Sequence, residues 1–121
     1  MQPFKELLQS DGIHVVDGAM GTMLYAKGVY INRCYDELNL SNPDLVREIH
    51  GEYIRAGADV IETNTFGATA HKLQQYGLEG SLHEINATAA RLARDAAGPH
   101  IRGRSHWTTR FTNRALWTNF F

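Results

Sequence analysis

An α/β fold built on parallel strands is what this sequence predicts, and three observations predict it. Two short apolar runs, Ile13-His14-Val15-Val16 and Val60-Ile61, each lead into polar residues at their C-terminal ends. An amphipathic helical pattern separates them, and a second one follows. The order strand, helix, strand, helix calls for a parallel sheet with right-handed crossovers.

At the N-terminus Phe4, Leu7 and Leu8 lie at i, i+3 and i+4, which predicts one or two helical turns over residues 4–9, ended by Asp11-Gly12. The first strand follows, with His14 alternating into it. Asp17-Gly18-Ala19-Met20-Gly21-Thr22 then opens a loop. Its two glycines let the chain turn sharply and leave amide N–H groups uncovered, beside a carboxylate at the strand's tip. Amides for a carboxylate and Asp17 for an ammonium would hold a zwitterion. The plain alternative is a strand-to-helix turn whose acid is solvated or caps the next turn. A short helix over residues 20–26, stopped by Gly28, comes next, and residues 29–40 read as irregular.

Asn42-Pro43-Asp44 opens the clearest helix, with a capping residue, a proline at the first helical position and an acid where the helix dipole favours it. Leu45, Ile49 and Tyr53 form its apolar stripe, flanked by Val46 and Ile54, and Gly57 stops it. The strand at Val60-Ile61 begins within three residues, as in an αβ unit. Residues 70–76 suit a short helix ended by Gly77. Ser81-Leu82-His83-Glu84 has the pattern of a capping box, heading a helix that runs to about Ala97. Leu82, Ile85, Ala89, Leu92, Ala93 and Ala96 form its inner face, while Arg91, Arg94 and Asp95 face water. The core expected from these elements is Val15, Val16, Leu45, Ile49, Val60, Ile61, Ile85 and Leu92.

The second strand repeats the grammar of the first, in Asp59-Val60-Ile61-Glu62-Thr63-Asn64-Thr65-Phe66-Gly67. Paired parallel strands with polar C-terminal ends are how α/β and barrel enzymes build sites, which favours the zwitterion holder over the plain turn. Asp59, at the strand entrance, reads as structural. Glu62 has two readings, facing a substrate or pairing with a neighbouring side chain.

The chain has 121 residues, 43% of them apolar and 21% charged, the composition of one ordinary globular domain. It contains no apolar run of membrane-spanning length and no secretory signal pattern at the N-terminus, so a cytoplasmic protein with no membrane partner is expected. The one cysteine, Cys34, excludes an internal disulfide. Charge is uneven. Residues 1–98 hold all 13 acids and eight of the 12 Lys and Arg, a net of −5, whereas residues 99–121 hold four arginines, no acid and both tryptophans. We place a boundary at Gly98-Pro99, with residues 1–98 as one unit and residues 99–121 as a basic aromatic tail, frame-shifted or disordered. No clean strand is expected in that tail. Arginine interleaved with aromatics is also a pattern for binding single-stranded nucleic acid; it is the lesser reading here.

Three segments carry a family resemblance: Asp17-Gly18-Ala19-Met20-Gly21-Thr22-Met23-Leu24, Asn42-Pro43-Asp44-Leu45-Val46, and Ala56-Gly57-Ala58-Asp59 through Phe66-Gly67. Tyr76-Gly77-Leu78 and Ile85-Asn86 continue it. Over residues 12–98 the chain resembles the opening of the homocysteine S-methyltransferase domain, shared by cobalamin-dependent methionine synthase and betaine–homocysteine methyltransferase. The resemblance implies a (β/α)₈ TIM barrel, incomplete in this chain, of which these residues would be the first βα units. It also implies transfer of a methyl group to the homocysteine thiol, forming methionine. The position of Asp17 would help hold the amino group, and the amides around Gly18 and Ala19, next to Met20, the carboxylate. Thr63 would line the same site, with Glu62, Asn64 and Phe66 beside it.

In the family, zinc held by three cysteine thiolates favours the homocysteine thiolate, because a free thiol of pKa about 8.5 is mostly protonated at neutral pH. None of those three cysteines is in this sequence. Cys34 precedes the second strand and has no Cys or His at zinc-ligand spacing. No catalytic residue, metal site or cofactor is therefore expected within these residues. The six histidines are scattered, and His50 and His83 read as exposed or half-exposed helix residues. The expected partners are homocysteine, a methyl donor and the missing C-terminal barrel half. An open sheet edge argues in the same direction, since a closed barrel usually takes ~250 residues. Two further readings stay open: a non-catalytic fragment that binds an amino acid or completes a barrel, and an interaction module acting through the tail.

Overall fold

A computed structural model describes residues 9–98 and the backbone of residues 108–110. The helical turn expected at residues 4–9 therefore lies almost wholly outside the described residues, as do residues 99–107 and 111–121 of the tail.

The elements are α1 (Met20–Ala26), α2 (Leu38–Ser41), α3 (Pro43–Arg55), β1 (Val60–Glu62), α4 (Ala70–Gln74), a 3₁₀ turn (Glu79–Ser81), α5 (Leu82–Ala97) and β2 (Thr108–Arg110). α3 begins as its sequence dictates: the Asn42 side chain accepts from Leu45 N at 3.4 Å, Pro43 needs no donor there, and Asp44 sits in the first turn. Gly57, at φ 107°, takes the left-handed conformation that ends it. Lys27, just past α1, reaches Glu48 Oε1 at 2.9 Å and Glu52 Oε1 at 2.7 Å and so ties α1 to α3.

β1 pairs in parallel with β2, Val60 opposite Thr108 and Glu62 opposite Arg110. It also makes an isolated parallel bridge, Val16 to Val60. Asp59 N and Val60 N donate to Val15 O, and Val15 N donates to Asp59 Oδ2 at 3.0 Å. Asp59 thus holds the strand entrance together, the structural role expected of it. The strand expected at residues 13–16 is reduced to that bridge. A correction also falls on the tail, where no clean strand was expected: Thr108–Arg110 pairs with β1 although its sequence shows no buried-type run.

The interior is three small apolar clusters on the helical side of the strands. Leu24, Leu38, Val46, Ile49 and Leu92 form one, Ile54, Ala58, Ile61, Ala93 and Ala97 the second, and Cys34, Ala68, Leu73 and Ile85 the third. Of the expected core, Ile49, Val60, Ile61, Ile85 and Leu92 are buried. Leu45 is only half-buried, and Val15 and Val16 are more than half exposed, because nothing among the described residues covers the faces of that first strand.

Three further expectations are corrected. Residues 29–40 are not wholly irregular, since turns there lead into α2. Ser81 makes no capping hydrogen bond, because the 3₁₀ turn before α5 carries it away from the geometry a capping box needs. His50 is fully buried: α3 packs against α1, α2 and α5 at once, so its buried arc spans Val46, Ile49, His50 and Ile54, wider than the stripe drawn through Leu45 and Tyr53. His83 is exposed, as are Arg91, Arg94 and Asp95.

Candidate functional site

The C-terminal ends of the first strand and of β1 open onto a cleft of about 730 Å³. Asp17 reaches it because its own amide is fixed to Val60 O at 2.9 Å, and its Oδ2 accepts from Glu62 N at 3.0 Å. The two strand ends are thereby joined through one carboxylate. Burial raises the Asp17 carboxyl to about 6; the Glu62 amide pulls it down and the nearby Glu62 charge pushes it further up. At neutral pH it is an anion held at some cost in a half-buried place, and a cationic ligand group would relieve that cost.

Gly18 is at a close approach. A Cβ there would lie 2.9 Å from the Tyr53 hydroxyl oxygen. That hydroxyl donates to Ala19 O at 3.0 Å and fixes the turn from α3. Burial and the Asp17 charge hold the Tyr53 hydroxyl above its ordinary range, so it stays a donor. The amides of Gly18 and Ala19 border the cleft and take no hydrogen bond among the described residues.

On the other strand end Thr63 and Asn64 are buried at the floor, and the Thr63 and Thr65 hydroxyls share a hydrogen bond of 2.8 Å. Glu62 is exposed and lines the cleft, and Phe66 is exposed at its rim, with Lys72 Nζ 4.5 Å from the ring centroid. All eight residues singled out in the sequence, Asp17, Gly18, Ala19, Met20, Glu62, Thr63, Asn64 and Phe66, line this one cleft.

The far wall was not legible. Ile31, Arg33, Cys34, Tyr35 and Asp36 supply it, with His71 and Lys72 from α4. Asp36 is buried and its Oδ1 accepts from Gly67 N at 2.9 Å. A Cβ at position 67 would meet Asp36 Oδ2 at 2.5 Å, so a side chain there would have to displace the Asp36 carboxylate. Burial raises the Asp36 carboxyl, offset in part by the Gly67 amide. The only sequence signal for this wall is the cluster of polar residues from Arg33 to Asn39 in a stretch without periodicity.

The family profile of homocysteine S-methyltransferase matches residues 14–110, well over half of the chain and past Gly98. Among solved structures the fold is similar to the homocysteine methyltransferase MmuM from Escherichia coli. In its metallated form the identity is 34% and the TM-score 0.68, over 78% of this chain and 34% of that one. In its oxidized form the figures are 33% and 0.68, over 79% and 34%. The chain thus spans about a third of the length of the E. coli protein.

A metallated relative raises the question of a metal here. Among the described residues no three His, Cys, Asp or Glu side chains converge. Cys34 is the one cysteine in the sequence, and burial pushes its thiol up, away from the thiolate a metal needs. These residues do not fit a three-thiolate centre.

Proposed function

This chain belongs to the homocysteine S-methyltransferase family, and from that premise we propose that its cleft is the amino-acid-holding part of a site for methyl transfer to homocysteine. In this reading the described residues are opening βα units of a (β/α)₈ barrel. Asp17 takes the ammonium, the Gly18 and Ala19 amides take the carboxylate, and the floor around Thr63 receives the thiol-bearing chain. Residues 1–98 form the barrel unit, and residues beyond Gly98 add the β2 pairing. The observation that carries the reading is the half-buried Asp17 carboxylate beside two uncommitted amides at one end of the cleft.

The sulfur chemistry is not assigned to these residues. The three zinc-binding thiolates that the family resemblance implies would come from another stretch of polypeptide, as would the methyl donor's site. Alone, the chain binds the amino acid and does not turn it over; joined by a polypeptide that supplies those cysteines, it acts in methionine formation. No helix among the described residues is long and apolar enough to cross a membrane.

Calorimetric titration of the whole chain tests this. L-Homocysteine is expected to bind, and its analogue without the amino group, 4-sulfanylbutanoate, to bind at least tenfold more weakly. Asp17→Asn removes one charge-assisted hydrogen bond and should cost about tenfold in affinity, roughly 1.4 kcal/mol. Protonation near pH 6 removes the same charge. Affinity should therefore climb as pH rises from 5 to 7 and then level off. Equal binding of both compounds, or a flat pH profile, would overturn the assignment of Asp17.

A further inference from the structure

Two buried asparagines join the far wall of the cleft to the end of β1. Asn39, in α2, is 0% exposed. Its Nδ2 donates to Asn64 O at 2.8 Å, and its Oδ1 accepts from Asn64 Nδ2 at 3.2 Å. Asn64 Nδ2 also donates to Tyr35 O at 2.8 Å. A side-chain amide carries two N–H donors. Both of Asn64's are taken by protein oxygens, so neither is left over for a ligand in the cleft. One residue pair away, the Asp36 carboxylate holds Gly67 N. Residues 35–39 thus grip residues 64–67 from one side, through groups that are buried or part-buried and hydrogen-bonded to one another. Breaking such a grip leaves orphaned donors and acceptors, which is what makes a buried polar network a strong constraint on local geometry.

We infer that Asn39 and Asn64 are positioning residues: they fix the turn that presents Thr63 and Phe66 to the cleft, and Asn64 makes no donor contact to a bound amino acid. The ligand's identity rests on the homocysteine reading above, whereas the grip on residues 63–67 is independent of it. Asn39 lies 25 positions from its partner, in the stretch with no periodic pattern, so its role is set by tertiary contact alone.

The test uses the whole chain with Asn39→Ala, Asn39→Asp and Asn64→Ala. Asn39→Asp keeps the oxygen that accepts from Asn64 and turns the donor to Asn64 O into an acceptor. Folding is checked in the cold by circular dichroism, amide hydrogen exchange is followed residue by residue, and homocysteine affinity is measured by calorimetry. Exchange at residues 63–67 is expected to quicken at least tenfold while α5 keeps its protection, with homocysteine bound about tenfold more weakly. In a Thr63→Val background the Asn39 changes should alter affinity less than in the unsubstituted chain, and Asn39→Ala with Asn64→Ala should be no worse than either alone.

Equal quickening in α5 and in residues 63–67, or complete unfolding of all three variants, would mean a general folding role and would overturn the inference. So would quickened exchange with unchanged affinity. If the unsubstituted chain fails to bind homocysteine, the amino-acid reading falls by itself, and the contrast in exchange still decides whether these asparagines hold the turn.

Discussion

The helical layer and the strand layer of this molecule are finished to different degrees. Between α1, α2, α3 and α5 the apolar side chains Leu24, Val46 and Ile49 are entirely excluded from water. On the first strand Ile13, Val15 and Val16 are 96%, 54% and 52% exposed. The residue types are the same, so hydrophobicity alone does not decide burial; what differs is whether the described residues supply the partner. The helices find theirs among the described residues, through crossovers that bring Leu92 and Ala93 of α5 back onto Ile49 and Ile54 of α3. A parallel strand needs neighbours on both edges and cover on both faces, and those come from distant sequence. Stability in this molecule is therefore concentrated in the helices, and the polar strand ends that make the cleft stand on the side that is least enclosed.

The largest expected effect comes from cutting the finished layer. Ile49→Ala removes a fully buried side chain at the junction of four helices and should cost about 2–5 kcal/mol. A domain of this size has little more than that in reserve. Urea unfolding followed by circular dichroism should show either a much lower midpoint or no cooperative transition. A shift under 1 kcal/mol would mean that the helical layer does not carry the fold.

The contrast also separates what the sequence shows from what it hides. α3 and α5 are legible because their ends are marked by local chemistry, Asn42-Pro43 and Gly57 for one and Gly98 for the other, and their inner faces repeat on a helical period. The strand-end residues of the cleft are legible because polar groups directly follow apolar runs. Residues 29–41 are not, since Tyr35, Asp36 and Asn39 are placed by hydrogen bonds to residues 64–67 that leave no local signature. His50 escapes for a related reason: its burial depends on how many neighbours α3 has, which a single stripe does not record. Ser81 shows the reverse failure, a local motif that the 3₁₀ turn before α5 overrides.

His50 sharpens the comparison through pH. Its two ring nitrogens are buried without a hydrogen-bond partner, and burial lowers its pKa from 6.5 to about 4. The unfolded chain then binds a proton that the folded chain refuses. Its contribution to stability is complete above pH 6.5 and is lost as pH falls toward 4, on the order of 2–3 kcal/mol. Asp17, in the strand layer, has the opposite sign. Its folded pKa is raised to about 6 from 3.8, so the folded chain holds the proton more tightly, and the stability from that proton is lost as pH rises through this range. The two shifts are of similar size and opposite sign, so urea midpoints of the unsubstituted chain should change little between pH 4 and 7. His50→Leu should leave the Asp17 effect alone, so that the midpoint rises as pH falls, whereas Asp17→Asn should raise the midpoint above pH 6 and uncover the acid-side fall caused by His50. Identical pH profiles for the two variants would show that other groups govern the pH dependence.

The smallest effect belongs to the first strand. Val15→Thr and Val16→Thr each replace a methyl group with a hydroxyl at a side chain that is about half exposed, keeping the β-branched shape a strand prefers. Surface substitutions of this kind stay within about 0.5 kcal/mol, so neither should move the urea midpoint of the chain by more than that. The same substitutions become informative if a second polypeptide covers the strand. Burying a valine of this size is worth about 1.5–3 kcal/mol when complete, and a threonine hydroxyl in its place would lack a partner. Under the proposed barrel reading, adding a polypeptide that supplies further strands should therefore separate valine from threonine where the chain alone does not. Should the single substitutions already cost more than 1 kcal/mol in the chain alone, the strand layer is enclosed without help, and the difference between the two layers is one of degree.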